Sequence, residues 1–247
     1  MHQFLVRFVT LWILALSLVI GTGVLAQATS ITWDFTGSGG SGNFGNSRLF
    51  TQNGITVTAT AWGYTAGTTD NGFETAALGQ WSTGLGVCNQ AEGYGCGSPD
   101  HQVDNLGPDD WVLFQFNTPV DLLSVRIAPY GTWDTDVSYW VGNVNLPPSL
   151  LMGKMYSDLA YLGFSSQMDQ YGPYQSAARN VYVSSPLVKA LLFGAKRGGD
   201  PFSSYEIDRF KIASLTTSVP EPSSLLLLGV GLVGLVIWNR RRLRSLV

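Results

Sequence analysis

Histidine and cysteine are almost missing from this chain of 247 residues, which holds two of each. His2 stands at the very start and His101 in the interior, so the body of the protein has a single imidazole. A histidine-ligated zinc centre is thereby excluded, and a Ser-His-Asp triad would have to use His101 without any G-x-S-x-G elbow to present its serine. Two cysteines are too few for a structural zinc site, and Cys88 and Cys96 lack the C-x-x-C spacing of a redox pair. Charge is also scarce, at 13% of residues. Between residues 29 and 219 there are nine basic and sixteen acidic side chains, a net charge of −7. Without clustered Lys and Arg to neutralise phosphates, nucleic acid is excluded as a partner. Helical heptads and fixed-period repeats are missing too, and the Gly-rich "GSGGSG" lacks the GK[ST] ending of a phosphate loop.

What the chain does contain is glycine, threonine, serine, asparagine and aromatics, a composition that suits an exported all-β domain with long turns. About 190 residues can bury a core of their own. Period-2 alternation marks "GITVTATAW", with Ile55, Val57, Ala59 and Ala61 on one face. In "DWVLFQF" Val112, Phe114 and Phe116 share a face, and in "VDLLSVRIAPY" Leu123, Val125 and Ile127 do, with Pro119 as a turn between the two segments. Further strands are expected at "ITWDF", "DVSYWVG", "RNVYVSS", "LVKALLFGAK" and "SSYEIDRFKIAS", while 149–162 reads equally as a short helix or two strands. Seven to nine short strands predict an all-β fold, a β-sandwich of jelly-roll type.

The two ends read as processing segments. Residues 1–28 carry one early positive charge at Arg7, an apolar run from Phe8 to Ile20, and Ala26-Gln27-Ala28 as an A-x-A site. This is the pattern of a signal peptide, with an uncleaved anchor or cleavage after Ala26 as the alternatives. In an exported chain the local pair Cys88 and Cys96 defaults to a disulfide, worth about 2.5 kcal/mol for so short a loop.

The other end, "VPEPSSLLLLGVGLVGLVIWNRRRLRSLV", joins three parts. Pro220 and Pro222 hold the chain extended around Glu221. The apolar run from Leu225 to Trp238 spans a thin bilayer if the arginines snorkel, and Arg240, Arg241 and Arg242 then stay cytoplasmic. In this order, Pro-Glu-Pro, short helix and arginine cluster resemble the PEP-CTERM sorting signal of Gram-negative bacteria. The resemblance implies processing by an exosortase, passage through an inner-membrane intermediate, and a final place at the cell surface or in the extracellular matrix among exopolysaccharide. It covers the tail alone and assigns no chemistry to the body. The expected organisation is a signal peptide at 1–28, a β-sandwich at 29–218 and the sorting signal at 219–247.

Within the body, "SPDHQVDNLGPDDW" gathers Asp100, Asp104, Asn105, Asp109 and Asp110, oxygen donors of the kind a structural Ca²⁺ takes, although the spacing is no EF-hand and a solvated turn explains it as well. Asp134 and Asp136 could serve acid–base chemistry on a glycosidic bond, or be plain turn residues. Trp62, Trp81, Trp133 and Trp140 are candidates for stacking on sugar rings, against the usual fate of tryptophan in a core. The expected function is a non-enzymatic surface or matrix protein that associates with exopolysaccharide. The rivals are a secreted polysaccharide hydrolase and a structural coat protein.

Overall fold

The structure, a computed structural model, describes residues 29–37, 42–43, 45–66, 71–93, 97, 101–197 and 207–219, with Gly229, Gly231 and Gly234 beyond them. The chain divides into the unit Ser30–Val219 and a unit made of the two ends. The signal peptide, the span 225–238, Pro220 to Pro222, Arg240 to Arg242, Cys96 and Asp100 lie outside the described residues. Among the described residues no helix is long and apolar enough to cross a membrane.

The body is all-β. Its strands are β1 (Thr29–Asp34), β2 (Gly42–Asn43), β3 (Ser47–Gln52), β4 (Ile55–Ala66), β5 (Asn71–Thr75), β6 (Ala77–Trp81) and β7 (Gly84–Cys88). They continue as β8 (Val103–Asp104), β9 (Asp109–Ala128), β10 (Val137–Gly142), β11 (Met168–Gln170), β12 (Arg179–Ala195) and β13 (Arg209–Val219). The stretch whose pattern was ambiguous forms two 3₁₀ turns, Pro148–Leu151 and Tyr156–Asp158.

Two long strands build the sandwich. The first half of β9 pairs with β4 and with the second half of β12, Trp111 to Gln115 against Ala190 to Gly194. The second half of β9 pairs with β13 and with the first half of β12. Both strands therefore pass from one layer to the other. Pro119 and Pro186 fall at these crossings, and the β12–β9 register shifts between Tyr182 and Ala190. A residue without an N–H suits a bulge where the ladder is broken anyway. The segments expected from sequence divide each of these strands at the same places, and Pro119, expected as a turn, marks a bend within one continuous strand.

One layer runs β4, β9, β12, β10, β11, with β3 and β5 along the outer edge of β4. The other runs β12, β9, β13, β7, β6, β2, and β1 and β8 also pair with β13. Rings meet across the interior: Phe35 stacks on Phe114 at 5.4 Å, Trp33 lies 5.7 Å from Phe116, and Phe193 meets Phe210 at 6.1 Å. Val112, Phe114 and Phe116 face this core as their alternation predicts, as do Val125 and Ile127. Leu123 does not. It is exposed and Leu122 is buried in its place, because β13 slips its register against β9 between Thr216 and Thr217.

A second core covers the outer face of the first layer. Trp62, Trp111, Leu113, Trp140 and Leu192 project from β4, β9, β10 and β12 and are roofed by Leu146, Leu151, Tyr156, Leu159 and Phe164. Both faces of this layer are dry, so its strands carry large apolar residues at odd and even positions alike.

Candidate functional site

The loops at one end of the sandwich, where β9 and β13 begin and β7 and β12 finish, hold most of the chemistry-bearing residues. Three groups of side chains stand there.

The first is a row of rings. Trp81 lies 4.8 Å from His101, and His101 lies 5.8 Å from Tyr130. Trp133 follows, donating from Nε1 to the Tyr130 carbonyl at 3.1 Å. The Gln102 side chain pins the Tyr130 backbone by accepting from its N–H at 2.8 Å. Tyr130 is 53% exposed, and Trp81, His101 and Trp133 are partly exposed. Two basic side chains lie against the row: Lys211 Nζ sits 3.6 Å from the Trp81 ring centre, and the Arg209 guanidinium 4.8 Å from that of Trp133. Lys211 is itself buried, with its amine 2.9 Å from His101 Nδ1 and also against the His101 carbonyl. Burial lowers its pKa from 10.5 to about 7.

The second and third groups are acidic. Glu92, Asp104 and Asp110 bring one carboxylate oxygen each within 4.8 Å of the others, and so do Asp134, Asp136 and Asp208. Asp110 accepts from Asn89 Nδ2 at 3.1 Å, while Asp104 faces Arg209 Nε at 3.4 Å. Burial, then Asp104 and Glu92, hold the Asp110 carboxyl well above the usual carboxylate range. In the other triad Asp208 accepts from Asn105 Nδ2 at 2.9 Å and from the Asp136 N–H at 2.7 Å, and Asp136 accepts from Gly172 N–H at 2.6 Å. Lys196 approaches Asp136 at 3.9 Å. Burial, with Asp136 as the next cause, pushes Asp208 up to about 8. Each triad has the oxygen donors a hard cation takes.

These groups redistribute the residues singled out from sequence. Of the expected calcium ligands among the described residues, Asp104 and Asp110 stay together, joined by Glu92. Asn105 turns to Asp208, with which it exchanges two hydrogen bonds. Asp109 leaves the set entirely: its Oδ2 accepts from Tyr156 Oη at 2.8 Å, and Tyr156 Oη accepts from Trp111 Nε1 at 2.9 Å. Burial pushes Asp109 up to about 6, against the pull of the Tyr156 bond and Arg197. A single run of acids along the sequence cannot share one site here because β9 starts inside it and sends neighbours to opposite faces.

Of the four tryptophans, Trp81 and Trp133 stand in the exposed row. Trp62 and Trp140 are 1% and 3% exposed in the second core and are withdrawn as sugar contacts. Asp134 and Asp136 do converge, together with Asp208. Cys88 is buried at the end of β7, and no cysteine among the described residues is free. Sequence reasoning missed Glu92, Tyr130, Asp208 and Lys211. A lysine inside the apolar run "RFKIA" was the one available signal.

Residues 218–242 match the model of the PEP-CTERM protein-sorting motif. No curated protein matches the chain. Among solved structures, the C-terminal domain of a chitobiase from Bacteroides fragilis aligns with a TM-score of 0.34 and 10% identity, over 73% of this chain and 98% of that one. The chain is thus an all-β protein carrying a PEP-CTERM sorting motif, which implies export, a membrane-anchored intermediate and an exosortase as processing partner.

Proposed function

We propose that this protein is exported to the cell surface or extracellular matrix and associates there with exopolysaccharide through the row Trp81, His101, Tyr130 and Trp133. The observation that carries the reading is the row itself. Its rings are partly exposed and stiffened from behind by Lys211, Arg209 and Gln102, and sugar rings stack on such faces at little cost in side-chain freedom. Export begins with a signal peptide at 1–28, removed by signal peptidase, and Cys88 pairs with Cys96 to tie the loop that precedes His101.

The protein is not an enzyme on this reading. A hydrolase would draw on Asp134, Asp136 and Asp208, yet Asp136 and Asp208 spend their oxygens on backbone N–H groups and Asn105, as framework carboxylates do.

The test is retention of the body, residues 29–219, on exopolysaccharide from its own source, with released reducing sugar measured in parallel. Saturable retention that Trp81→Ala and Trp133→Ala each weaken tenfold or more, without sugar release, is the expected result. Retention indifferent to both substitutions overturns the assignment of the row, and released sugar overturns the non-enzymatic reading. Absence of retention leaves the structural coat protein ahead.

A further inference from the structure

The end of the sandwich opposite the acids and the ring row is built from the two bends and from the last residues of β13. Thr56 N–H donates to Asn117 Oδ1, Leu187 N–H donates to Asp121 Oδ1, Val188 pairs with Val120, and Ser218 pairs with Asp121. Residues 52–56, 117–121, 184–188 and 218–219 therefore form one rim. Both chain ends leave from it. Phe35 N–H donates to the Ala213 carbonyl and Thr32 Oγ1 meets Thr216 Oγ1, an antiparallel register whose continuation sets Ser30 beside Ser218.

Three observations single out this rim. First, the sorting motif starts at residue 218, while β13 runs to Val219, so no spacer separates the folded sheet from Pro220. Ser218 is held by β9 on one side, and β1 pairs with β13 on the other. The strand end therefore cannot peel outward to lengthen the tether without losing pairing on two sides. Second, Asp121 is the single charged residue among those that form the rim, whereas Asp104, Asp110, Asp134, Asp136 and Asp208 stand at the far end. Third, the non-glycine residues with positive φ among the described residues, Asn53, Ser184 and Leu187, all lie on it. Leucine at φ 52° is strained, and its side chain is 55% exposed, where glycine or asparagine would serve the backbone better. Leu123, exposed by the register slip, stands close by on β9.

We propose that the rim is a lipid-contact surface, used while the protein is held in the membrane-anchored intermediate that the sorting motif implies. Five residues, 220–224, join Val219 to the apolar run that starts at Leu225, so the tether between rim and bilayer is short. A rim with one charge meets anionic headgroups without the repulsion that the acidic end would suffer. Leu187 and Leu123 supply apolar contact to the interface, and the ring row points away from the membrane, toward whatever lies outside. This inference stands apart from the glycan reading, since it holds whether or not the row meets sugar.

The test is photo-crosslinking in the full chain, expressed in cells with an inactive exosortase so that the anchored form accumulates. Benzoylphenylalanine is placed at 187 or 123 on the rim and at 130 or 171 at the far end. Lipid adducts at 187 and 123 at least fivefold above those at 130 and 171 are expected. Equal labelling at both ends, or adducts at 187 to protein in place of lipid, overturns the proposal. Leu187→Gly, which suits the positive φ and so keeps the fold, is expected to lower lipid labelling from position 123, and unchanged labelling there removes Leu187 from the contact.

Discussion

Replacing Lys211 by methionine tests the account of the ring row most directly, because the amine is buried against Trp81 and pairs with no carboxylate among the described residues. In the unfolded chain the proton is held up to the ordinary value of 10.5, whereas the folded protein releases it near 7. Between those values the unfolded state binds more protons, so Lys211 makes stability rise with pH, and the contribution is lost as pH falls through 7. The slope is about 1.4 kcal/mol per pH unit. From pH 8 to 9.5 that amounts to about 2 kcal/mol. Methionine fills a similar volume and carries no proton. Urea unfolding of residues 29–219, followed by tryptophan fluorescence, gives the difference between parent and Lys211→Met at each pH, in which the remaining groups cancel. The difference is expected to grow by about 2 kcal/mol in favour of the parent across this window. Parallel curves would refute the buried, desolvated amine.

Asp208→Asn acts in the opposite direction: its carboxyl, raised from 3.8 to about 8, stabilises the fold at low pH and loses that contribution as pH rises to 8. The variant should flatten the fall in thermal midpoint between pH 5 and 7.5, and an unchanged fall would show that Asp208 ionises normally. Tyr156→Phe strips the bonds to Asp109 and Trp111 inside the second core and is expected to cost about 1–3 kcal/mol in urea unfolding. Gly194→Ala would set a Cβ 2.3 Å from the Asp110 carbonyl and 2.6 Å from the Trp111 ring, so β12 must shift from β9, at about 3 kcal/mol. Millimolar calcium should raise the thermal midpoint by replacing the proton that Asp110 keeps between Asp104 and Glu92, and equal midpoints in calcium and chelator would show the triad closed by protons alone.

What could be read from the sequence follows from how many faces of a segment are dry. β4 and the first half of β9 alternate cleanly toward the main core, and Val57, Ala59, Phe114 and Phe116 are where period 2 puts them. The opposite faces of the same strands are buried as well, under the 3₁₀ segment, so Trp62 and Trp140 looked available for sugar when they are not. Nothing in a strand's own pattern reports a roof supplied from outside the strand, as Leu146 to Phe164 supply it to Trp62 and Trp140 alike. The acidic loop failed for a related reason. Adjacent aspartates diverge once a strand begins between them: Asp109 points to Tyr156 and Asp110 to Asn89. Asp208 joins Asp134 and Asp136 only because β13 starts beside the 129–136 loop, a long-range fact without local trace. The sorting tail was legible because its signal is local, a short ordered series of residue types, and needs no fold to be read. Its weight comes from where β13 stops. The motif begins inside the last strand, so that the same two residues, Ser218 and Val219, belong both to the sheet and to the sorting signal.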